Sequence, residues 1–239
     1  MKPVVICRYA PHEGPGYFAT YLSARRIPWR VAKLDEGDPL PQTGEVAGLA
    51  MMGGPMSVND DLPWITPMLA LVRESVAANV PVIGHCLGGQ LLAKAMGAAV
   101  TRNPVKEIGW SEVTASRKEA AEWGPDGTFL SYHWHGETFG IPDDAIRIWS
   151  SAYCGNQAFV LRGRHFGMQC HIEMTEELIE SWCETGMREI EGELGRSPAV
   201  QSPHEMRRDL PARLTALHAV ADAVYERWSA GLKVNPGSS

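Results

Sequence analysis

The first hundred residues alternate short apolar runs with amphipathic stretches. That alternation constrains the fold more than any other feature of the chain. "VVIC" (4–7), "WRVAKL" (29–34), "EVAGLAMM" (45–52) and "VPVIG" (80–84) have the length and composition of buried strands. "GYFATYLSARR" (16–26), "ITPMLALVRESVAAN" (65–79) and "LGGQLLAKAMG" (87–97) follow them with a helical period. Strand–helix–strand order predicts parallel strands joined by right-handed crossovers. An α/β sheet of this kind carries its sites at the carboxyl ends of its strands.

The second half changes rhythm. "EIGWSEVTAS" (107–116), "IRIWSS" (146–151), "QAFVLR" (157–162) and "HFGMQCHI" (165–172) read as strands. No helix separates the last three, so part of this half is expected to be antiparallel, with "GRH" (163–165) as a hairpin turn. Thr175 is placed to cap a helix that opens with Glu176 and Glu177, acids suited to the positive end of the dipole. Leu210, Leu214, Leu217, Val220, Val224 and Trp228 recur at three- and four-residue steps. They predict a helix packed on the core rather than a groove for a partner. Residues 1–200 read as one domain and 201–239 as its helical C-terminal extension, with the tail "VNPGSS" expected to be disordered.

Composition narrows the function classes. The net charge of −6 gives no basic footprint for nucleic acid or for an anionic membrane surface. No run approaches the roughly 18 apolar residues of a membrane helix, and the N-terminus lacks a signal-peptide core. Cys7, Cys86, Cys154, Cys170 and Cys183 are scattered and odd in number, with no CxxC pattern, which points to a reducing cytoplasm.

Among these cysteines, Cys86 stands in "GHCLGG", between an apolar strand and a helix. A thiol on such a turn is either structural or a nucleophile held on a strained elbow. The flanking Gly84 and Gly88 allow close packing, and the helix N-terminus favours the thiolate. The Leu87 N–H follows the sulfur and offers half of an oxyanion hole; Gly54, at the strand end "MMGGPMSV", offers the other half. A thiolate also needs an acid/base and a group to orient it. His171 and Glu173 in "CHIE" share a face on extended chain; alone they would read as a surface pair.

Taken in order, "GGP", "GHCLGGQ" and "GMQCHIE" resemble the G-x-C-x-G-x-Q and Q-x-H-x-E signatures of the class I glutamine amidotransferases, over about residues 45–175. The resemblance implies a flavodoxin-like α/β fold with a mixed, mostly parallel sheet flanked by helices. It implies Cys86 as nucleophile, His171 as acid/base, Glu173 as its orienting partner, and Gly54 and Leu87 as the oxyanion hole. Gln90 matches the motif glutamine that helps hold the substrate. Trp134, His135, Gly136 and Glu137 in "HWHGE" match the segment that binds the α-amino and α-carboxyl groups of glutamine. Two positions depart from the family: Ile172 stands where proline is usual, and Met56 follows "GGP" where a small residue is common, which bears on the substrate pocket.

His133, His135 and Glu137 also alternate on one strand face as metal ligands would. The resemblance accounts for the segment without a metal, and no cofactor is expected. The chemistry implied is attack of Cys86 on a γ-carbonyl, release of the amine and hydrolysis of a thioester. The resemblance implies that the ammonia serves a synthetase, and since the chain shows no P-loop that synthetase would be separate. The alternatives are a stand-alone hydrolase of γ-glutamyl peptides or conjugates, and a non-catalytic regulatory module on the same fold.

Overall fold

The computed structural model describes residues 2–115 and 118–232, with the backbone alone at 118 and 119. The tail "VNPGSS" lies outside the described residues, as does the last position of the 107–116 segment. The first half is parallel: β1 (Val4–Arg8) pairs with β2 (Trp29–Lys33) and with β3 (Gly48–Met51). β3 then pairs with β4 (Val82–His85). β1, β3 and β4 are short apolar runs because helices cover both faces, which leaves no polar face to alternate, while β2 at the sheet edge exposes Arg30 and Lys33. On one face lie α1 (Gly16–Ala24) and the long C-terminal α7 (Leu210–Ser229). On the other lie α2 (Ile65–Ala77) and α3 (Leu87–Ala95). β1 shows the division: Val4 and Ile6 join the core that holds Phe18 and Tyr225, while Cys7 joins the core that holds Met68 and Leu91.

The second half is largely antiparallel. β5 (Val100–Ala115) and β6 (Gly127–Phe139) form a long ribbon with a register shift between Arg102 and Glu107. β7 (Ala145–Ser151), β8 (Ala158–Leu161) and β9 (His165–Met168) run antiparallel in sequence, and β9 returns parallel to β4. α4 (Glu176–Thr185), α5 (Met187–Glu193), β10 (Ala199–Val200) and α6 (Pro203–Arg207) complete the order. The sheet runs β10-β5-β7-β8-β9-β4-β3-β1-β2, with β6 paired to β5.

Three details differ from the sequence reading. The turn between β8 and β9 falls on Arg162 and Gly163, both at positive φ, one residue before the expected position. β6 is a full strand absent from the strands read in the sequence, where only the alternation of His133, His135 and Glu137 marks part of it. The strand expected over 165–172 stops at Met168, so His171 and Glu173 lie beyond its end.

Thr175 caps α4 through its side chain, which accepts from the Leu178 N–H at 3.3 Å. α7 packs its Leu210, Leu214, Leu217, Val220, Val224 and Trp228 stripe into the core, where Tyr225 and Trp228 ring Phe18 of α1.

Candidate active site

The site begins at the junction of β4 and α3. Cys86 has φ 49° and ψ −106°, left-handed backbone that a non-glycine residue holds only under constraint. Two ties supply it. The Cys86 N–H donates to the Met168 carbonyl at 2.9 Å, and the Gly88 N–H donates to the Met52 carbonyl at 3.1 Å. Glycine is required where backbones meet: a Cβ on Gly84 would run into Gly88, one on Gly88 into the Met51 carbonyl, and one on Gly89 into the Met168 carbonyl. α3 therefore enters directly between β3 and β9, and its first turn lies against the sulfur. The Gln169 side-chain amide donates to Cys86 Sγ at 3.4 Å, and its oxygen accepts from the Gln90 amide at 3.1 Å. The sulfur also contacts the Trp134 carbonyl at 3.9 Å.

His171 and Glu173 come from an irregular stretch rather than from extended strand. The His171 N–H donates to the Tyr132 carbonyl at 2.8 Å, and the Glu173 carbonyl accepts from the Tyr17 N–H at 2.8 Å. With the chain so held, His171 Nδ1 lies 2.6 Å from Glu173 Oε1, both side chains buried. The Trp182 edge packs on the imidazole with centroids 4.8 Å apart. Burial opposes charge on His171, but the Glu173 carboxylate and the Cys86 thiol outweigh it and hold the ring well above the usual histidine range. Burial likewise opposes charge on Glu173, and His171, then His85, keep its carboxyl below its ordinary value. His85 stands 3.9 Å from Glu173 Oε2 and 3.0 Å from the Tyr225 hydroxyl, and burial lowers its pKa.

Cys86 and His171 open into a cleft of about 440 Å³ that also receives Gln90, Met56, Trp134, His135, Gly136 and Glu137. Gly54 lines the cleft and Leu87 packs against it: a Cβ on Gly54 would stand 2.8 Å from Leu87 Cδ2. The N–H of Leu87 heads a helix, where no preceding turn supplies a carbonyl, and neither it nor the Gly54 N–H has a partner among the described residues. Ile172 is fully buried and faces the core rather than the cleft, so the missing proline does not disturb the His171–Glu173 contact.

The structure keeps the Glu137 carboxylate out of the histidine cluster, although the Glu137 backbone carbonyl lies 2.9 Å from His135 Nδ1. That carboxylate accepts from the Ser57 hydroxyl at 3.0 Å. Glu107 takes its place, because the antiparallel register sets it directly across from His135. Donor atoms of Glu107, His133 and His135 lie within 4.8 Å of one another, a set that could hold a cation. Glu107 is already well supplied: it accepts from Ser111, Ser151 and Gln157, and His135 Nε2 lies 3.1 Å away.

Four residues at the site carry no assignment from sequence: His85, Gln169, Tyr225 and Glu13. Gln169 was visible as the glutamine of "GMQCHIE". His85 was visible beside Cys86 in "GHCLGG", whereas Glu13 and Tyr225 are distant in sequence and become neighbours only through the fold.

A family model, glutamine amidotransferase class-I, matches residues 18–181, well over half of the chain. The chain belongs to the class-I glutamine amidotransferase family. It is 31% identical over 206 residues to the glutamine amidotransferase-like protein YfeJ of Salmonella typhimurium, covering 82% of this chain and 85% of that protein. A crystal structure of a glutamine amidotransferase from Methylobacillus flagellatus superposes with a TM-score of 0.96 at 46% identity, covering 100% of this chain and 98% of the other. GMP synthase of Photobacterium profundum is 30% identical over 192 residues, which cover 72% of this chain but only 33% of that enzyme. The fold is accordingly the flavodoxin-like α/β fold of the family. No helix among the described residues is long and apolar enough to cross a membrane.

Proposed function

We propose that the chain hydrolyses the side-chain amide of glutamine, or of another γ-glutamyl compound, through a thioester on Cys86. The observation that supports this best is the cleft into which a strained cysteine and a Glu173-bound histidine open together. Cys86 gives its proton to His171 and attacks the γ-carbonyl, forming the S–C bond. The N–H groups of Gly54 and Leu87 hold the oxyanion. His171 returns the proton to the nitrogen as the C–N bond breaks, and the amine leaves. Water, deprotonated by His171, then attacks the thioester; the S–C bond breaks and glutamate departs. Glu173 holds the imidazole in one orientation throughout. Gln90, Met56, Trp134, His135, Gly136 and Glu137 form the pocket for the glutamyl part.

Likeness to GMP synthases, which use glutamine, supports release of ammonia to a separate acceptor enzyme. A second reading, a hydrolase acting alone on γ-glutamyl conjugates, is favoured by a cleft of about 440 Å³, roomier than a single amino acid needs. Wild type and Cys86→Ala are compared on glutamine and on γ-glutamyl peptides. Turnover by wild type and none by Cys86→Ala is expected, and turnover that survives the substitution refutes the proposal.

A further inference from the structure

The glutamyl pocket leaves one carboxylate of the cleft without a role. Three glutamates line the cleft, Glu13, Glu137 and Glu189, and no lysine or arginine does. Two of the three are engaged: Glu137 with the Ser57 hydroxyl, and Glu189 with Lys106 at 2.7 Å and the Trp134 indole N–H at 2.8 Å. The carboxylate of Glu13, on the loop after β1, receives no hydrogen bond from any described residue. Its position is defined by Gly53. The point where a Gly53 Cβ would sit lies 2.6 Å from Glu13 Oε2 and 3.2 Å from His171 Cε1. The half-buried carboxylate therefore stands beside the imidazole that hands a proton to the departing amine.

We propose that Glu13 is a specificity-determining residue that binds the leaving amine, and that the cleft prefers γ-glutamyl amides whose amine part carries a positive charge of its own. The inference rests on the hydrolysis proposed above. The Glu13 carboxylate has no hydrogen-bond donor among the described residues, and the imidazole of His171 is the one raised-pKa cation beside it, with no lysine or arginine in the lining, so an incoming ammonium meets no other fixed cation competing for the carboxylate. The γ-glutamyl amide of a diamine brings such an ammonium: its α-ammonium and α-carboxylate go to the glutamyl pocket, and its distal ammonium reaches Glu13. A charge-assisted N–H···O bond there is about twice as strong as a neutral one. Gly53 is part of the device, since a side chain at that position would displace the carboxylate from the histidine. The surroundings agree. Burial raises the Glu13 carboxyl to about 7, against the attraction of His171 and with the repulsion of Glu173, so a bound ammonium shifts it further towards the ionised form at neutral pH.

The test compares two probes of the same shape, the mono-γ-glutamyl amide of putrescine and that of n-pentylamine, on wild type, Glu13→Gln and Glu13→Asp. Wild type is expected to show a kcat/KM at least about tenfold higher for the charged probe, falling as salt is raised. Glu13→Gln should bring the ratio near one, and Glu13→Asp should restore part of it. If Glu13→Gln does not fold, the wild-type ratio, its salt dependence and Glu13→Asp still decide. Equal turnover of the two probes by wild type, or a preference that persists in Glu13→Gln, overturns this inference while leaving the hydrolase standing. Absence of any Cys86-dependent turnover overturns the hydrolase itself.

Discussion

Replacing Glu173 by Gln should slow amide hydrolysis by about a thousandfold with little change in KM. The substitution keeps the shape of the side chain and removes its charge. Glu173 Oε1 lies 2.6 Å from His171 Nδ1, and both residues are almost wholly buried. Two unit charges 4 Å apart at an effective dielectric constant of 20 attract by about 4 kcal/mol. At roughly 1.4 kcal/mol per tenfold in rate, that is close to three powers of ten. The loss falls on steps in which His171 carries a proton, so it belongs to kcat rather than to binding. A glutamine amide can also present its NH2 to Nδ1 and fix the wrong tautomer, which adds to the defect.

The ring itself gives a second readout. Burial lowers the affinity of His171 for a proton, and Glu173 leads the influences that reverse this. In Glu173→Gln the ring, titrated by NMR, should move down from its raised value. Steady-state rates on a γ-glutamyl anilide and the titration are run on the same preparations, with circular dichroism confirming the fold. A rate within threefold of wild type, together with an unshifted ring, would refute the role given to Glu173.

Three further outcomes follow from the packing. Gly89→Ala puts a methyl group into the Met168 carbonyl at the α3–β9 contact, so a stability loss of about 1–3 kcal/mol by urea melts should accompany loss of activity. Residues 201–232 are proposed to belong to the same domain as 1–200. Phe18→Ala, which empties the space between α1, Tyr225 and Trp228, should then cost about 3–5 kcal/mol in a single unfolding transition. Two transitions would speak against one domain. His165 is buried, accepts from the Val82 N–H at 3.2 Å, and burial lowers its pKa to about 4. Its folded pKa is below the unfolded 6.5, so acidification from pH 6.5 to 4 favours the unfolded chain by up to about 3 kcal/mol. His165→Gln should flatten that part of the stability–pH curve.

The parallel half of the fold was legible because β1, β3 and β4 are buried on both faces and so appear as unbroken apolar runs. The elbow was legible for a related reason: Gly84, Gly88 and Gly89 mark the places where α3 touches backbone. β6 was harder to read, because its inward positions include His133 and His135, polar residues paired with Glu107 across the ribbon. The partner of the strand histidines was missed for the same reason. Spacing along one strand suggested Glu137, whereas the register between two strands delivers Glu107. His171 and Glu173 could be listed from "CHIE" but not placed. Their positions depend on Tyr132 and Tyr17, whose backbone groups reach them from remote parts of the chain. Glu13 had no signature at all, since a lone glutamate in a Gly-Pro loop acquires meaning only when the fold sets it beside His171.

The central claim is a γ-glutamyl thioester on Cys86, and intact-mass spectrometry tests it most directly. The protein is mixed with excess substrate, quenched in acid within a turnover, and mapped by peptide. A γ-glutamyl adduct on Cys86 is predicted, absent from Cys86→Ala and discharged by hydroxylamine. Turnover by an enzyme whose adduct sits on another residue, or turnover by Cys86→Ala, would contradict it.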